Sequence, residues 1–376
     1  MEENIKKFEV DDEKFNEIVD TITDRLCFEK VPAENPIAFV VGGQPGAGKT
    51  GLIGKTLAEF ENAIVLDVDD YRYFHPNILE IFKDYPDQLV PLTKEFVNKI
   101  TKIVVDRLIV KKYNLIIHKT LKDEEIIGDT LEPLRENGYA IVLRIMAVSE
   151  VESRTSALER SLAFKTNVGW CRWVTENNHK YAYAGIPTTA KGIFDKGYAD
   201  AVQVFGRGFV PTQAVLKYSL SSEEGKKNLE KLDANKNIFS DFEIEKYADP
   251  ETAINGVRDE ETERVLPEVF YRLEVLKLQI SDKTDEKYIS EVENMVKNYL
   301  NEHLKKEPYM NNNTKLELAK EVMARMIAIA ASDGFDQNNE HLMNLLEEEK
   351  LMNNFDEKTI NKIIKEYSPL VKNEED

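Results

Sequence analysis

Short, continuous apolar runs alternate with longer stretches of helically spaced apolar residues over the first 210 positions. The apolar runs are too short for helices and are bounded by glycines or polar residues, so they predict buried parallel strands. They lie at 37–41, 63–67, 114–118, 140–147 and 200–205. The helical spacing covers 11–29, 49–61, 91–112, 122–137 and 150–164, and a polar stretch fills 165–197. This alternation predicts an α/β domain with a mostly parallel sheet flanked by helices.

The pattern changes near residue 211. From there on the apolar residues keep helical spacing between polar connectors, and no run predicts a buried strand. The predicted helices cover 266–280, 286–304, 314–332 and 340–352. We therefore expect two domains, an α/β domain over 1–210 and an acidic, mainly helical extension over 211–376.

Charge and composition narrow the classes of partner. The formal net charge is −19, and most of the excess lies after residue 211. An acidic chain argues against sequence-independent nucleic-acid binding, which needs stripes of Lys and Arg. No apolar run reaches the length of a membrane span or a signal peptide. Cys27 and Cys171 form no metal-binding pattern, so we expect a reduced, cytoplasmic protein without a membrane or nucleic-acid partner.

The strongest chemical signal directly follows the first predicted strand. The pattern G-x-x-x-x-G-K-[ST] is met in full, and a helical stretch follows it, which is the context a phosphate-binding loop requires. Backbone N–H groups of such a loop wrap a phosphate, and the helix N-terminus adds a positive field. A chance glycine-rich turn is the alternative. The predicted ATP-binding residues are Gly43, Gln44, Pro45, Gly46, Ala47, Gly48, Lys49 and Thr50. In this pattern the Lys49 ammonium reaches the β- and γ-phosphates, and the Thr50 hydroxyl ligates Mg²⁺.

A cluster of carboxylates ends the second predicted strand, at Asp67, Asp69 and Asp70. Ligands of parallel sheets bind beyond the carboxyl ends of the strands. A carboxylate near an ATP γ-phosphate can accept the proton of an attacking hydroxyl or help to orient Mg²⁺. A solvated acidic turn that caps the next helix is the alternative.

These two segments together resemble the zeta-toxin family of bacterial kinases. The string 41–50 is similar to the family's phosphate loop, and 66–76 is similar to its Asp-x-Asp segment with a following His-Pro. Members are toxins of epsilon/zeta-type toxin–antitoxin systems, and they phosphorylate the 3′-hydroxyl of UDP-N-acetylglucosamine, which blocks cell-wall synthesis. The resemblance implies that Asp69 is the general base for that hydroxyl.

The resemblance extends over about residues 15–210. The segment 113–120 is similar to the family's third strand with its terminal Thr120, and 145–148 resembles the fourth strand. Arg160 corresponds to a helical arginine that contacts the ATP phosphates, and Arg172 lies where a second one is expected. A rigid guanidinium suits the spread charge of phosphoryl transfer. The alternatives are an exposed helix charge for Arg160 and a surface residue between two tryptophans for Arg172.

The acceptor side departs from the family pattern. The resemblance leads us to expect carboxylates near the sugar nucleotide, but His118 and Lys102 occupy those positions. Lys cannot accept hydrogen bonds from sugar hydroxyls, and His does so only when neutral. His118 is either a substrate contact or a structural histidine. The substrate candidates are therefore His118, Thr120 and Lys102, and NAD or another nucleotide is an alternative acceptor.

The region after 211 carries no motif tied to chemistry. The hypotheses for it are docking on the kinase domain, binding of an antitoxin, and intramolecular inhibition. For the helix over 11–29 the hypotheses are covering the ATP site and contact with an antitoxin helix. A nucleotide-binding regulatory module without turnover is the alternative from outside the enzyme class, although Asp69 and both arginines favour catalysis.

Overall fold

A computed structural model describes residues 7–168, 171, 173–208, 213–232, 247–277 and 279–306. Its core is a six-stranded sheet in the order β2-β3-β1-β4-β5-β6. The strands are β1 (Ile37–Gly42), β2 (Ile64–Leu66), β3 (Leu115–His118), β4 (Ala140–Met146), β5 (Ala201–Arg207) and β6 (Ala214–Ser221). Strands β1 to β5 are parallel, and β6 pairs antiparallel with β5. The predicted α/β class with a mostly parallel sheet is confirmed.

Helices connect the strands as the apolar spacing predicts. The helices are α1 (Asp12–Cys27), α2 (Lys49–Glu59), α3 (Ile78–Asp84), α4 (Leu89–Val110), α5 (Glu124–Glu136), α6 (Glu150–Val168), α7 (Glu176–Asp195), α8 (Glu223–Glu230), α9 (Pro250–Lys277) and α10 (Lys283–Lys306). Two 3₁₀ helices cover Val68–Phe74 and Pro86–Gln88. Side-chain caps fix several starts: Asp11 accepts from Lys14 N, and Asp123 from Ile126 N. Such a cap contributes about 1 kcal/mol.

The two central strands form the centre of the core. Every residue of β1 and β4 is buried, and Phe39 pairs with Ile116 on one side and Val142 on the other. Apolar clusters cover both faces, with α1, α4, α5 and α7 contributing to one and α2 to the other. Burial on both faces explains why these strands appear as uninterrupted apolar runs in the sequence.

One buried charge fixes α2 to the sheet. The Arg144 side chain on β4 is 1% exposed, and its Nη1 donates to Thr56 Oγ1 at 2.9 Å and to Glu59 Oε2 at 2.5 Å. Its guanidinium also lies over the Phe39 ring, 4.5 Å from the ring centroid. Burial lowers the pKa of Arg144 and Glu59 opposes that shift. The pair holds the helix that begins directly after the glycine-rich loop.

Two elements differ from the sequence expectation. The segment 165–197, described from the sequence only as polar, contains α7; its glycines and Pro187 hide the helical spacing. Gly185 is needed there because a Cβ would lie 2.4 Å from the Lys122 carbonyl oxygen. The expectation that no strand follows residue 211 is wrong, because β6 completes the sheet. Only Ala214 and Tyr218 of this edge strand are buried, so it lacks the apolar run of a central strand.

The chain divides into two compact units, Met1–Glu263 and Arg264–Asp376. The second unit therefore begins further along the chain than the change in pattern at 211. Its described part is the end of α9 and α10, where Val269, Leu273 and Val292 are buried and Lys277 pairs with Glu293 at 3.0 Å. Helix α9 begins well before the predicted 266–280, and the predicted helices 314–332 and 340–352 lie outside the described residues. Across the described part of the chain, no helix is both long and apolar enough to cross a membrane.

Candidate active site

The glycine-rich segment 43–50 lies between β1 and α2, at the carboxyl edge of the sheet. Gly46 and Gly48 have φ values of +79° and +92°, a region that favours glycine. A Cβ at Gly46 would lie 1.9 Å from the Ser153 carbonyl oxygen on α6. Gly48 is the N-cap of α2, so the loop leads directly into a helix N-terminus. This backbone geometry suits a loop that wraps a phosphate.

Side-chain bonds of Gln44 hold the second residue of the loop. Gln44 is fully buried, and its Nε2 donates to Val148 O at 2.6 Å and to Ser153 Oγ at 3.2 Å. Its backbone carbonyl accepts from Ala47 N at 3.1 Å, which closes a turn inside the loop. The loop is thereby fixed to the end of β4 and to α6.

The Lys49 ammonium lies over the loop backbone. Its Nζ donates to the carbonyl oxygens of Gly43 at 2.7 Å and Gln44 at 3.0 Å. Burial lowers the pKa of Lys49 to about 8; the positive charge of Arg160 adds to this shift, and Asp67 opposes it. The ammonium is therefore close to both an arginine and a carboxylate, within reach of an anion bound in the loop.

Arg160 lies on α6, the helix that packs against Gly46, and its side chain is exposed. Its positive charge contributes to the lowered pKa of Lys49, and its contact with ATP phosphates stays a prediction. Thr50 is exposed in the first turn of α2, next to Lys49. Arg172 lies outside the described residues.

The carboxylate cluster begins a 3₁₀ helix directly after β2. Asp67 caps this helix by accepting from Asp69 N at 3.1 Å. The Asp69 side chain is 70% exposed, and its Oδ1 accepts from Arg72 Nη2 at 2.6 Å. Arg72 is fixed in turn, because its Nη1 donates to Thr93 Oγ1 on α4 at 2.9 Å. Asp69 is thus an oriented, solvent-accessible carboxylate.

The end of β3 lies between the carboxylates and the loop. His118 Nδ1 is 3.6 Å from Asp67 Oδ2, and this imidazole, when charged, holds the pKa of Asp67 below its usual range. His118 also faces Val41 of β1 in the sheet register. Thr120 is exposed two residues beyond the strand. The predicted His118 and Thr120 therefore lie at the same sheet edge as Asp69.

Lys102 is not brought to this edge. It lies nine positions after Thr93 on α4, which corresponds to about half a turn around the helix and about 13 Å along it. Thr93 faces Arg72 and is buried, whereas Lys102 is exposed. Lys102 therefore lies on the opposite face of α4 from Thr93, and its contact with substrate stays a prediction from the sequence.

Three charged residues beside the loop were not predicted. Arg207 ends β5, and its Nη2 donates to Gly46 O at 2.6 Å while its Nη1 pairs with Glu152. Arg258 and Glu261 on α9 contact Gln44 and Arg207. Arg207 could have been found as a charge at the carboxyl end of a buried strand, the rule that identified Asp69. Arg258 and Glu261 carry no such signal, because only the folded chain brings α9 to the loop.

Comparison with known proteins assigns the family. The model of the family described as "Zeta toxin" matches residues 20–218, more than half of the chain. The chain belongs to the zeta toxin family. Toxin zeta of Enterococcus hirae is 29% identical over 204 residues, covering 54% of this chain and 71% of that protein. Toxin PezT of Streptococcus pneumoniae is 28% identical over 180 residues, covering 47% of this chain and 71% of that protein.

A solved structure gives the same fold. A chain from the PezAT chromosomal toxin–antitoxin system of Streptococcus pneumoniae has a TM-score of 0.53 and 21% identity, covering 76% of this chain and 98% of its own. The predicted zeta-toxin resemblance and P-loop kinase fold are thus confirmed. Membership implies a kinase that uses ATP. Arg258 and Glu261 lie beyond the matched residues.

The residues present fit both ATP and a magnesium ion. The glycine cradle, Lys49 and Arg160 suit the phosphates. Within the described residues, no group of three or more His, Cys, Asp or Glu side chains could hold a metal ion. Mg²⁺ is bound in such kinases through one or two protein ligands and the phosphates of the substrate. The exposed Thr50 hydroxyl and the half-buried Asp67 carboxylate are the groups that would hold it here.

Proposed function

We propose that this zeta toxin transfers the γ-phosphoryl group of ATP to a hydroxyl of a nucleotide sugar, with the 3′-hydroxyl of UDP-N-acetylglucosamine as the first candidate. One observation carries the proposal: the exposed Asp69 carboxylate, oriented by Arg72, shares one sheet edge with the loop that carries Lys49. A base and a phosphate-binding loop at one edge form the two sides of a phosphotransfer site.

The proposed roles follow from charge. Asp69 accepts the proton of the attacking hydroxyl, whose oxygen bonds to the γ-phosphorus as the bond to the bridging oxygen of ADP breaks. Lys49, Arg160 and Arg172 stabilise the negative charge on the transferred group. The Thr50 hydroxyl would hold Mg²⁺, which offsets phosphate charge when bound. Gly43, Gly46 and Gly48 let the backbone approach the phosphates.

The proposed contacts to the acceptor are the side chains at the end of β3. His118 and Thr120 lie near Asp69, and a neutral imidazole and a hydroxyl can both accept from a sugar hydroxyl. Lys102 contributes no support, since it lies on the opposite face of α4 from Thr93. NAD or another nucleotide therefore remains the second candidate acceptor, and a binding module without turnover the third reading.

An antitoxin is the proposed protein partner. The likeness to a chain from a toxin–antitoxin system supports this proposal, as do the relatives described as toxins. Helix α1 packs against α4 through a T-shaped contact of Phe15 with Phe96, at 5.9 Å between ring centroids, and α4 carries the Thr93 that holds Arg72. A partner that binds α1 would thus meet the acceptor side first.

Asp69→Asn tests the proposed chemistry. The amide cannot accept the proton, so turnover should fall by at least about 10²-fold while ATP binding stays within a factor of about two. Wild type and variant are incubated with Mg-ATP and a panel of sugar nucleotides and NAD, and masses are read for the gain of one phosphate. Asp129→Asn, which removes the same charge from an exposed position on α5, is the control.

The panel also separates the alternatives. Phosphorylation of NAD alone would overturn the sugar-nucleotide acceptor, and the absence of any phosphorylated product with wild type would overturn the kinase itself. A wild-type rate in Asp69→Asn would remove Asp69 as the base.

A further inference from the structure

Helix α9 reaches the phosphate loop from outside the residues matched by the family model. Two of its residues, Arg258 and Glu261, lie three positions apart and therefore on one face of the helix. Both are buried, at 2% and 5% exposure. Both belong to the compact unit that contains the sheet.

Arg258 contacts the loop directly. Its Nη2 donates to Gln44 Oε1 at 3.2 Å, and its Nη1 donates to the Tyr183 carbonyl oxygen on α7 at 2.9 Å. The guanidinium also lies over the Tyr183 ring, 3.8 Å from its centroid. Three contacts thus fix the guanidinium plane, and a rigid fork holds its acceptors in one geometry.

These contacts determine the orientation of the Gln44 amide. Nε2 must donate to Val148 O, so Oε1 must face a donor, which is Arg258. A flipped amide would set two acceptors against each other and a donor against the guanidinium. The backbone carbonyl of Gln44 also accepts from Lys49 Nζ. Holding the Gln44 side chain in one orientation therefore also holds the backbone that positions the catalytic lysine.

Glu261 acts on the other side of the loop. Its Oε1 accepts from Arg207 N at 2.6 Å, at the end of β5. The Arg207 side chain then donates to Gly46 O at 2.6 Å and to Ser156 Oγ at 3.2 Å. Gly46 packs tightly against α6, because a Cβ there would lie 1.9 Å from the Ser153 carbonyl oxygen. One face of α9 therefore supports the second and the fourth residues of the loop.

The energetics favour a positioning role over a stabilising one. Burial lowers the pKa of Arg258 to about 10, against the smaller opposing effects of Tyr183, Glu150 and Asp259. A buried charge is weak support for stability, since its desolvation offsets the gain of its contacts. What these contacts provide is a single defined geometry.

We propose that Arg258 and Glu261, in the first half of α9, are positioning residues of the ATP site. They hold the phosphate loop in the conformation that binds ATP. The inference rests on the proposed kinase function, because it assumes that the loop binds ATP. It assigns a role to residues after 218 that the family match does not cover.

Arg258→Met and Glu261→Gln in the full chain test the inference. Loss of a hydrogen bond to a buried charged group changes an equilibrium constant by about tenfold or more. We therefore expect the Kd for ATP to rise at least about tenfold in Arg258→Met, with partial rescue in Arg258→Lys, which keeps the charge. Hydrogen exchange of the peptide that contains 43–50 should become faster in both variants.

Arg135→Met is the matched control. It removes a partly buried ion pair with Asp200, 2.9 Å long, at the opposite edge of the sheet. It should lower the melting temperature but change neither the Kd for ATP nor exchange of the loop. A loss that merely reflects lower stability would appear in this control as well.

The outcomes are separable. If wild type fails to bind ATP, the proposed function fails, and loop exchange still decides the present inference without ATP. If wild type and folded Arg258→Met show the same Kd and the same loop exchange, the inference is wrong. Should Arg258→Met not fold, Arg258→Lys and Glu261→Gln decide it by the same two measurements.

Discussion

Burial and two neighbouring charges determine the pH range over which the Lys49 ammonium is charged. Burial and the nearby Arg160 lower its pKa to about 8, and Asp67 opposes this shift. Above that pH the free enzyme loses the charge that an ATP phosphate requires. Lys49 is therefore charged at neutral pH, and it loses its charge at a pH not far above neutral.

We expect kcat/KM for ATP to fall as pH rises through about 8, because this parameter reports the free enzyme. Arg160→Gln removes one cause of the shift and should move this limb to higher pH, while lowering the maximal rate by roughly 10²-fold or more. Arg160→Lys retains the charge and should keep the limb in place. A pH–rate profile of the three proteins is the measurement, and an unmoved limb in Arg160→Gln would contradict the coupling.

At the scale of elements, the phosphate loop packs closely against α6. Adding one methyl group at Gly46 tests this contact. Gly46→Ala requires a positive φ and places Cβ 1.9 Å from the Ser153 carbonyl oxygen. We expect ATP affinity to fall more than about 100-fold, since strain and overpacking cost several kcal/mol together. Titration calorimetry with Mg-ATP measures this.

Gly54→Ala is the paired control on α2, where a Cβ would meet nothing within 4 Å. A glycine-to-alanine change inside a helix stabilises by about 0.5–1 kcal/mol, so this variant should melt slightly higher and bind ATP normally. Equal binding by Gly46→Ala would mean that the loop and α6 move apart easily.

The helices and strands also explain which parts of the fold and site could be predicted from the sequence. The strands β1 and β4 were predictable because burial on both faces leaves an unbroken apolar run, and Lys49 and Asp69 because local motifs place them after strands. Strand β6 and helix α7 were not, because an edge strand and a helix with glycines and a proline lose their period. Arg258 and Glu261 act through contacts more than 50 positions away in sequence, which no local pattern reports.

At the scale of the whole molecule, buried histidines link stability to pH. His179 is fully buried, with its Nε2 3.0 Å from Ser153 Oγ, and burial with the charges of Arg154, Arg258 and Lys49 lowers its pKa to about 3. Burial also lowers the pKa of His75. Between about pH 3 and 6.5 the unfolded chain therefore binds protons that the folded chain does not.

We expect the free energy of unfolding to fall as pH falls below about 6.5, by up to about 1.4 kcal/mol per pH unit from His179 alone. His179→Gln keeps a hydrogen-bonding group for Ser153 and should flatten this dependence. Urea unfolding at pH 7 and pH 5 measures the difference for both proteins. An equal loss in wild type and variant would assign the acid sensitivity to other groups.

The sheet also predicts where the chain can be shortened. Truncation after residue 210 removes β6, the antiparallel partner of β5, together with Arg258 and Glu261. We expect this fragment to lose cooperative thermal unfolding by circular dichroism and to lose ATP binding, whereas a chain that ends at residue 277 should retain both. A test of inhibition by the helical extension should therefore remove residues after 277, because a cut at 211 damages the sheet.

The order of the strands determines what lies between Asp69 and the phosphate loop. Strand β3 separates β2, which carries Asp69, from β1, which carries the loop. Two spacings of about 4.8 Å put the ends of β2 and β1 roughly 10 Å apart along the edge. The end of β3, with His118 and Thr120 just beyond it, lies between them. A substrate that brings its hydroxyl to Asp69 and to a phosphate in the loop must therefore pass over the end of β3, so changes at His118 and Thr120 would alter which acceptors fit without touching the phosphate loop.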